Sequence, residues 1–186
     1  MARVSREQAA ENRTKVVAAA SSLFRRKGLD GVGIDELMAE AGLTRGGFYG
    51  HFGSKDILAG EACAHAFDRA ERAWDAAAHG NPAGRLHRLA EFYFALKPPG
   101  QDCPMATLAG DAARAPAGGP VRQAFTAGFR RLAKMMTAET TNDEALAVLA
   151  AMVGAAMLRR ASDDAALADS IEAAVLHLAS PEVKAS

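Results

Sequence analysis

Residues Ile34 to Leu58 read IDELMAEAGLTRGGFYGHFGSKDIL, and the spacing within this stretch decides the fold. Ile34, Leu37, Met38 and Ala41 fall at i, i+3, i+4 and i+7, the apolar stripe of an amphipathic helix. Gly42 follows, where a helix can end in a left-handed residue that glycine adopts cheaply, and Leu43 can pack back under the turn. Thr44 is a good N-cap for a second, short helix over about Arg45 to Phe52. Gly53 and Ser54 stop it, and Ser54 caps a further helix with Lys55 and Asp56 in its first turn. A unit this small has little interior of its own, so its polar surface is there for a partner.

Helix, glycine turn, short helix is the helix-turn-helix arrangement, whose second helix enters the DNA major groove by its N-terminal residues. On this reading Arg45 is the base-reading side chain, because its guanidinium fork matches the O6/N7 edge of guanine. Gly46, Gly47 and Gly50 bring backbone close to the groove, at a cost in helix propensity. Phe48 and Phe52, four residues apart, share one face and anchor the short helix to a core. Tyr49, His51 and Lys55 can donate to phosphates, which position a protein on DNA without reading sequence. The alternative is an ordinary surface around a glycine-rich loop, with Tyr49 and His51 as structural residues.

At these residues the chain resembles the TetR family of bacterial transcriptional regulators. The likeness is carried by Ala41-Gly42, Gly46, Phe48-Tyr49, His51-Phe52 and Ser54-Lys55-Asp56. A preceding helix over about Arg6 to Lys27 also fits, with Val16, Ala20, Leu23 and Phe24 as its stripe. It ends in the Arg26-Lys27-Gly28-Leu29 run expected before the turn. The likeness covers roughly the first third of the chain and implies an all-helical regulatory domain for the remainder. By resemblance, Thr44, Tyr49, His51 and Lys55 stand at phosphate-contacting positions, while Arg45, Gly46, Gly47 and Gly50 face base edges. Two departures matter. Gly33 replaces the usual Ser/Thr cap before Ile34, and the recognition helix is poor in reading side chains. Specificity is therefore expected to lean on Arg45, on backbone approach and on DNA shape.

Net charge is zero, with 22 Lys+Arg against 22 Asp+Glu in 186 residues. Up to Asp56 the chain carries 9 basic and 7 acidic side chains, and beyond it 13 and 15. An excess of two either way neither supports nor defeats DNA binding. What counts is the local footprint of Arg3, Arg6, Arg13, Lys15, Arg45 and Lys55, doubled in a dimer. Arg3 and Arg6 stand where an arm can reach the minor groove or hang free of it. The first residues have no apolar core, so they do not read as a secretory signal. The longest apolar run, Ala145 to Leu158, is 14 residues, roughly 21 Å as helix against a hydrocarbon core of roughly 30 Å. Two cysteines without close spacing make neither a disulfide scaffold nor a metal site. The expectation is a cytoplasmic protein with no membrane contact, no metal and no cofactor.

Alanine-rich segments of period 3.6 and the lack of an alternating strand predict an all-α chain. A three-helix helix-turn-helix DNA-binding domain at 1–56 precedes a six-helix effector-binding and dimerisation domain at 57–186. The six helices are expected from Ser54 to about Ala78, Pro82 to Leu96, Pro104 to Arg114, Pro120 to about Thr140, Asp143 to Arg160, and Asp163 to Ala179. Asn81 with Pro82 is a cap-plus-N1 pair opening the second of them. Helix 143–160 is apolar on more than one face, so it must bury more than one side. With 163–179 it suits a four-helix interface between two chains, whose two-fold axis would match a palindromic operator. An intramolecular core is the alternative, and the resemblance favours the homodimer.

An effector cavity is expected between the helices from Ile57 to Thr140. Candidate lining residues are His65, Phe67, Trp74, Tyr93, Met105, Leu108, Phe125 and Phe129, although each apolar one taken singly also reads as plain core. The mixture suits a small, mainly apolar or aromatic effector. Cys103 immediately precedes Pro104 at a helix start, where unpaired N–H groups stabilise a thiolate, opposed by the neighbouring Asp102. By resemblance, some regulators of this family sense electrophiles or oxidants through a cysteine in this part of the fold.

Together these readings predict a ligand-responsive regulator, a repressor, that leaves double-stranded operator DNA when effector binds. The long helix from Ser54 is the expected lever. The alternatives are a thiol sensor of the same fold acting through Cys103, or a helical adaptor that no longer binds DNA. An enzyme is not expected: there is no nucleophile elbow, phosphate loop or metal-ligand spacing, and the five histidines are scattered.

Overall fold

A computed structural model of the chain describes residues 6–79, 84–95, 97–137 and 142–180. Among them the regular structure is helical throughout: α1 Arg6–Lys27, α2 Ile34–Glu40, a 3-10 turn Arg45–Gly47, α3 Phe48–His51, α4 Lys55–Ala78, α5 Arg85–Phe94, α6 Pro104–Arg114, α7 Pro120–Met136, α8 Asn142–Ala161 and α9 Ala165–Leu178. This is the all-α chain that the sequence predicts, with three helices before Lys55 and six from it onward. Arg3, the Asn81-Pro82 cap, Leu96 and the stretch to Thr140 lie outside the described residues.

The helices group into two compact units, one of residues Met1–Asp68 with Pro98–Ala127, the other of Arg69–Lys97 with Gly128–Ser186. In the first, α1 packs on α2 and α6. The predicted stripe of α1 is its buried face, with Val16, Ala20, Leu23 and Phe24 at most 1% exposed. Leu37 and Met38 of α2, Phe48 and Phe52 around α3, and Leu58 of α4 complete this core. Gly42 closes α2 at φ +70°. Its N–H donates to the Ala39 carbonyl (3.0 Å) and that of Leu43 to Met38 (2.8 Å), the paired bonds of a left-handed helix end. Ser54 caps α4 as read, its Oγ accepting from the Ile57 N–H at 3.2 Å.

The loop before α6 is seated on α1 by contacts the local sequence does not announce. Gly100 sits at φ +78°, and a Cβ there would lie 2.3 Å from Ser22 Oγ and 2.9 Å from the Ser22 carbonyl oxygen. Arg25, only 5% exposed, donates through Nε to the Ser21 carbonyl (2.9 Å) and through Nη1 to the Asp102 carbonyl (3.0 Å). A buried guanidinium is tolerable because these bonds replace its water.

In the second unit α5, α8 and α9 pack on one another. Leu86, Leu89 and Ala90 of α5 are buried, as are Ala145, Val148, Leu149 and Met152 of α8. His87 Nδ1 lies 3.1 Å from the Leu176 carbonyl, and Arg159 of α8 pairs with Glu172 of α9. Helix α9 begins at Ala165 rather than at the expected Asp163. The reason is its cap: the Asp164 side chain accepts from the Leu167 N–H at 3.0 Å, which places Asp164 itself outside the helix.

Candidate nucleic-acid interface

The recognition segment is not one continuous helix over Arg45 to Phe52. Arg45–Gly47 forms a 3-10 turn, closed by the Gly47 N–H donating to the Thr44 carbonyl at 3.1 Å, and α3 is a single turn. Two adjacent glycines favour this start, since each is poor at propagating an α-helix. Phe52 is already extended, at φ −134° and ψ 134°. Below the turn, Phe48 and Phe52 are the predicted anchors, 0% and 2% exposed, with ring centroids 5.7 Å apart.

The outward side is where the glycines become informative. A Cβ added at Gly46 or Gly50 would meet nothing within 4 Å, and at Gly47 only Met38 Cε at an ordinary 3.5 Å. None of the three has a positive φ. Neither packing nor backbone conformation within the protein therefore asks for glycine here. Tyr49 stands beside them 73% exposed, held edge-on to Phe48 at 5.1 Å. Thr44 occupies the N-cap position with extended backbone, yet its side chain makes no cap bond. Arg45 is also on this surface, with Nη1 3.0 Å from Asp35 Oδ2. His51 is half-buried beside the Phe52 ring.

Two members of the expected basic footprint are engaged inside the protein. Lys55 Nζ donates to the Leu29 carbonyl at 2.6 Å, tying the start of α4 to the turn after α1. Arg13 lies 4.8 Å over the Phe52 ring and pairs with Glu61 at 2.6 Å. Sequence spacing shows neither, because the partners are 26 and 48 residues away. On the other side of Leu29, its N–H donates to the Asp111 carboxylate of α6 at 3.3 Å. Asp111 is 8% exposed and also pairs with Arg114. The Leu29 peptide groups thus connect α6 and α4 at the corner of the helix-turn-helix, an arrangement with no local signature.

Of the expected effector residues, Phe67, Met105 and Leu108 are buried in the first unit, where Phe67 meets Phe125 edge to face at 5.4 Å. His65 is half-buried there. In the second unit Trp74 and Tyr93 are buried and edge to face at 6.0 Å, while Phe129 is 40% exposed. A cleft of about 260 Å³ in the first unit is lined instead by Leu29, Lys55, Asp111, Arg114 and neighbours, and by none of the expected effector residues. Cys103 is half-buried at the N-cap of α6, and its carbonyl accepts from the Thr107 hydroxyl at 3.1 Å. Cys63 is buried in α4, where loss of hydration pushes its thiol up to about 12. Among the described residues no helix is long and apolar enough to cross a membrane.

A tri-helical unit that anchors a glycine-lined turn from below and leaves it open above belongs to the helix-turn-helix DNA-binding class. Residues 16–62 match the family described as bacterial regulatory proteins, tetR family. The fold extends the match along the chain. A TetR transcriptional regulator from Chloroflexus aurantiacus superposes with a TM-score of 0.77 at 26% identity, covering 93% of this chain and 94% of that one. Reduced NemR from E. coli aligns at 0.73 and 17% identity, over 89% and 95%. A transcriptional regulator from Saccharomonospora viridis in complex with choline aligns at 0.73 and 18%, over 89% and 94%. No curated protein sequence matches significantly. Residues 16–62 thus match the tetR family's regulatory proteins, and the chain shares the fold of the TetR regulators on which it superposes.

Proposed function

We propose that the chain is a ligand-responsive repressor that binds a palindromic operator as a homodimer and is released by a small, mainly apolar or aromatic effector. The observation carrying this reading is the open space above Gly46 and Gly50 beside the exposed Tyr49. Glycines that the protein does not need, at a cost in helix propensity, make sense against a surface that must come close. In this proposal residues 1–56 read DNA. Thr44, Tyr49 and His51 hold phosphates, while Arg45 with Gly46, Gly47 and Gly50 faces base edges. Lys55 joins the phosphate contacts through ammonium hydrogens that its bond to the Leu29 carbonyl leaves over.

Residues 57–186 carry effector binding and dimerisation. Phe67 with Phe125, and Trp74 with Tyr93, offer aromatic surface for an apolar ligand. The choline complex of the Saccharomonospora viridis regulator supports a small organic effector. Met157, Leu158, Leu167 and Leu178 of α8 and α9 are 43–57% exposed, which supports burial against a second copy. Coupling is assigned to the corner at Leu29, where α6 holds the peptide group before this residue and α4 the one after it, so a shift of either helix loads the same residue. By linkage, operator and effector then weaken each other by the same factor.

The test is a gel shift of the purified protein on DNA upstream of its own gene, titrated with salt. The expected result is a salt-sensitive shift at one palindromic site, lost in Tyr49→Ala. A Tyr49→Ala protein that binds unchanged refutes the assignment of this face. Adding an alkylating agent to the same assay tests a thiol response, which requires release by wild type and none by Cys103→Ser.

A further inference from the structure

The one exposed cation on the proposed reading turn comes with a carboxylate attached. Asp35, in the first turn of α2, accepts from Arg45 at the start of the 3-10 turn. Their side chains are 65% and 75% exposed, so hydration competes with the pair and it adds little to the fold. A carboxylate on this face also repels phosphate, and it weakens attraction to DNA in general. Its presence therefore calls for a compensating role.

We propose that Asp35 is a specificity-determining positioning residue: it holds the Arg45 guanidinium in the orientation that reads guanine. This rests on the DNA-binding reading given above. Arginine is a long, flexible side chain, and alone it meets any acceptor within reach, including phosphates. With Nη1 on Asp35 Oδ2 at 3.0 Å, the Nη2 and Nε edge is left to meet the O6 and N7 of a guanine side by side. Because Gly46, Gly47 and Gly50 offer no side chains, direct discrimination on this turn depends heavily on that one fork. The charge of Asp35 acts in the same direction. It makes the turn unfavourable on DNA lacking the guanine contact, so selectivity increases while general affinity decreases.

The experiment is selection from a random double-stranded library by full-length wild type, Arg45→Ala, Asp35→Ala and Asp35→Glu, each checked for folding by circular dichroism. Wild type is expected to prefer guanine at one position of each half-site by roughly tenfold or more. Arg45→Ala loses the preference at that position. Asp35→Ala loses it at the same position, while its affinity for unrelated DNA rises. Asp35→Glu, with the carboxylate displaced by one methylene, falls between them. An Asp35→Ala profile that keeps the guanine preference overturns the proposal, as does loss of preference at a different position. If wild type selects no sequence at all, the DNA-binding reading fails and the role of Asp35 falls with it.

Discussion

Gly50→Ala adds one methyl group at a point in α3 where no heavy atom other than those of its chain neighbours and its own helix backbone lies within 4 Å, and where φ is not positive. Within the protein the change removes backbone freedom from the unfolded chain without creating a clash. An alanine in place of a helical glycine is worth roughly 0.5–1 kcal/mol of stability. For a chain of this length each kcal/mol moves the midpoint by roughly 2–4 °C, so Tm should rise by roughly 1–4 °C. Against DNA the sign reverses. A methylene forced into a close-packed contact costs roughly 1–3 kcal/mol, which is roughly 5- to 150-fold in Kd. The assay is a thermal melt of the free protein alongside fluorescence anisotropy with the selected operator. A stabilised protein with unchanged affinity refutes the close-approach argument. A lower Tm shows that the fold itself needs this glycine, which contradicts the open space above it.

Other positions separate in the same way. Gly60→Ala would bring a Cβ to 2.7 Å from Pro120 Cβ and 3.0 Å from the Pro120 carbonyl carbon, so a loss of roughly 1–3 kcal/mol should appear as a lower urea midpoint. Asp111→Ala leaves the Leu29 N–H without its acceptor and should cost roughly 1–3 kcal/mol; unchanged denaturation would mean the α6 contact is dispensable. The Cys63 thiol, held up to about 12 against an ordinary value near 9, stays protonated at pH 8. Iodoacetamide should therefore label Cys103 first and reach Cys63 only in denaturant, as read by peptide mass spectrometry. Between pH 9 and 12 the unfolded thiol ionises while the buried one holds its proton, so this group's contribution to stability declines as pH rises through that window. Leu167→Glu, on a side chain that is 52% exposed, should leave the monomer folded and dissociate the proposed dimer in light scattering; a dimer that persists would move the interface elsewhere.

Much of this protein is decided by local rules that a reader of sequence can apply. Apolar spacing locates the buried face of α1, the Gly42 turn follows from glycine's access to positive φ, and Ser54 and Pro104 mark helix starts through the N–H groups a first turn leaves open. The glycines of the turn are equally visible, whereas only the structure shows that nothing packs above Gly46 and Gly50. What the tertiary structure alone decided is where long polar side chains end up. Arg13 and Lys55 read as members of a basic footprint, and folding brings Glu61 and the Leu29 carbonyl to 2.6 Å from them. Asp111 accepts from a peptide N–H 82 residues earlier, and Asp35 from Arg45 ten residues later. Apolar burial is set by periodicity within one helix, whereas a flexible charged group is placed by whichever partner the packed helices bring within reach, and no local pattern encodes that.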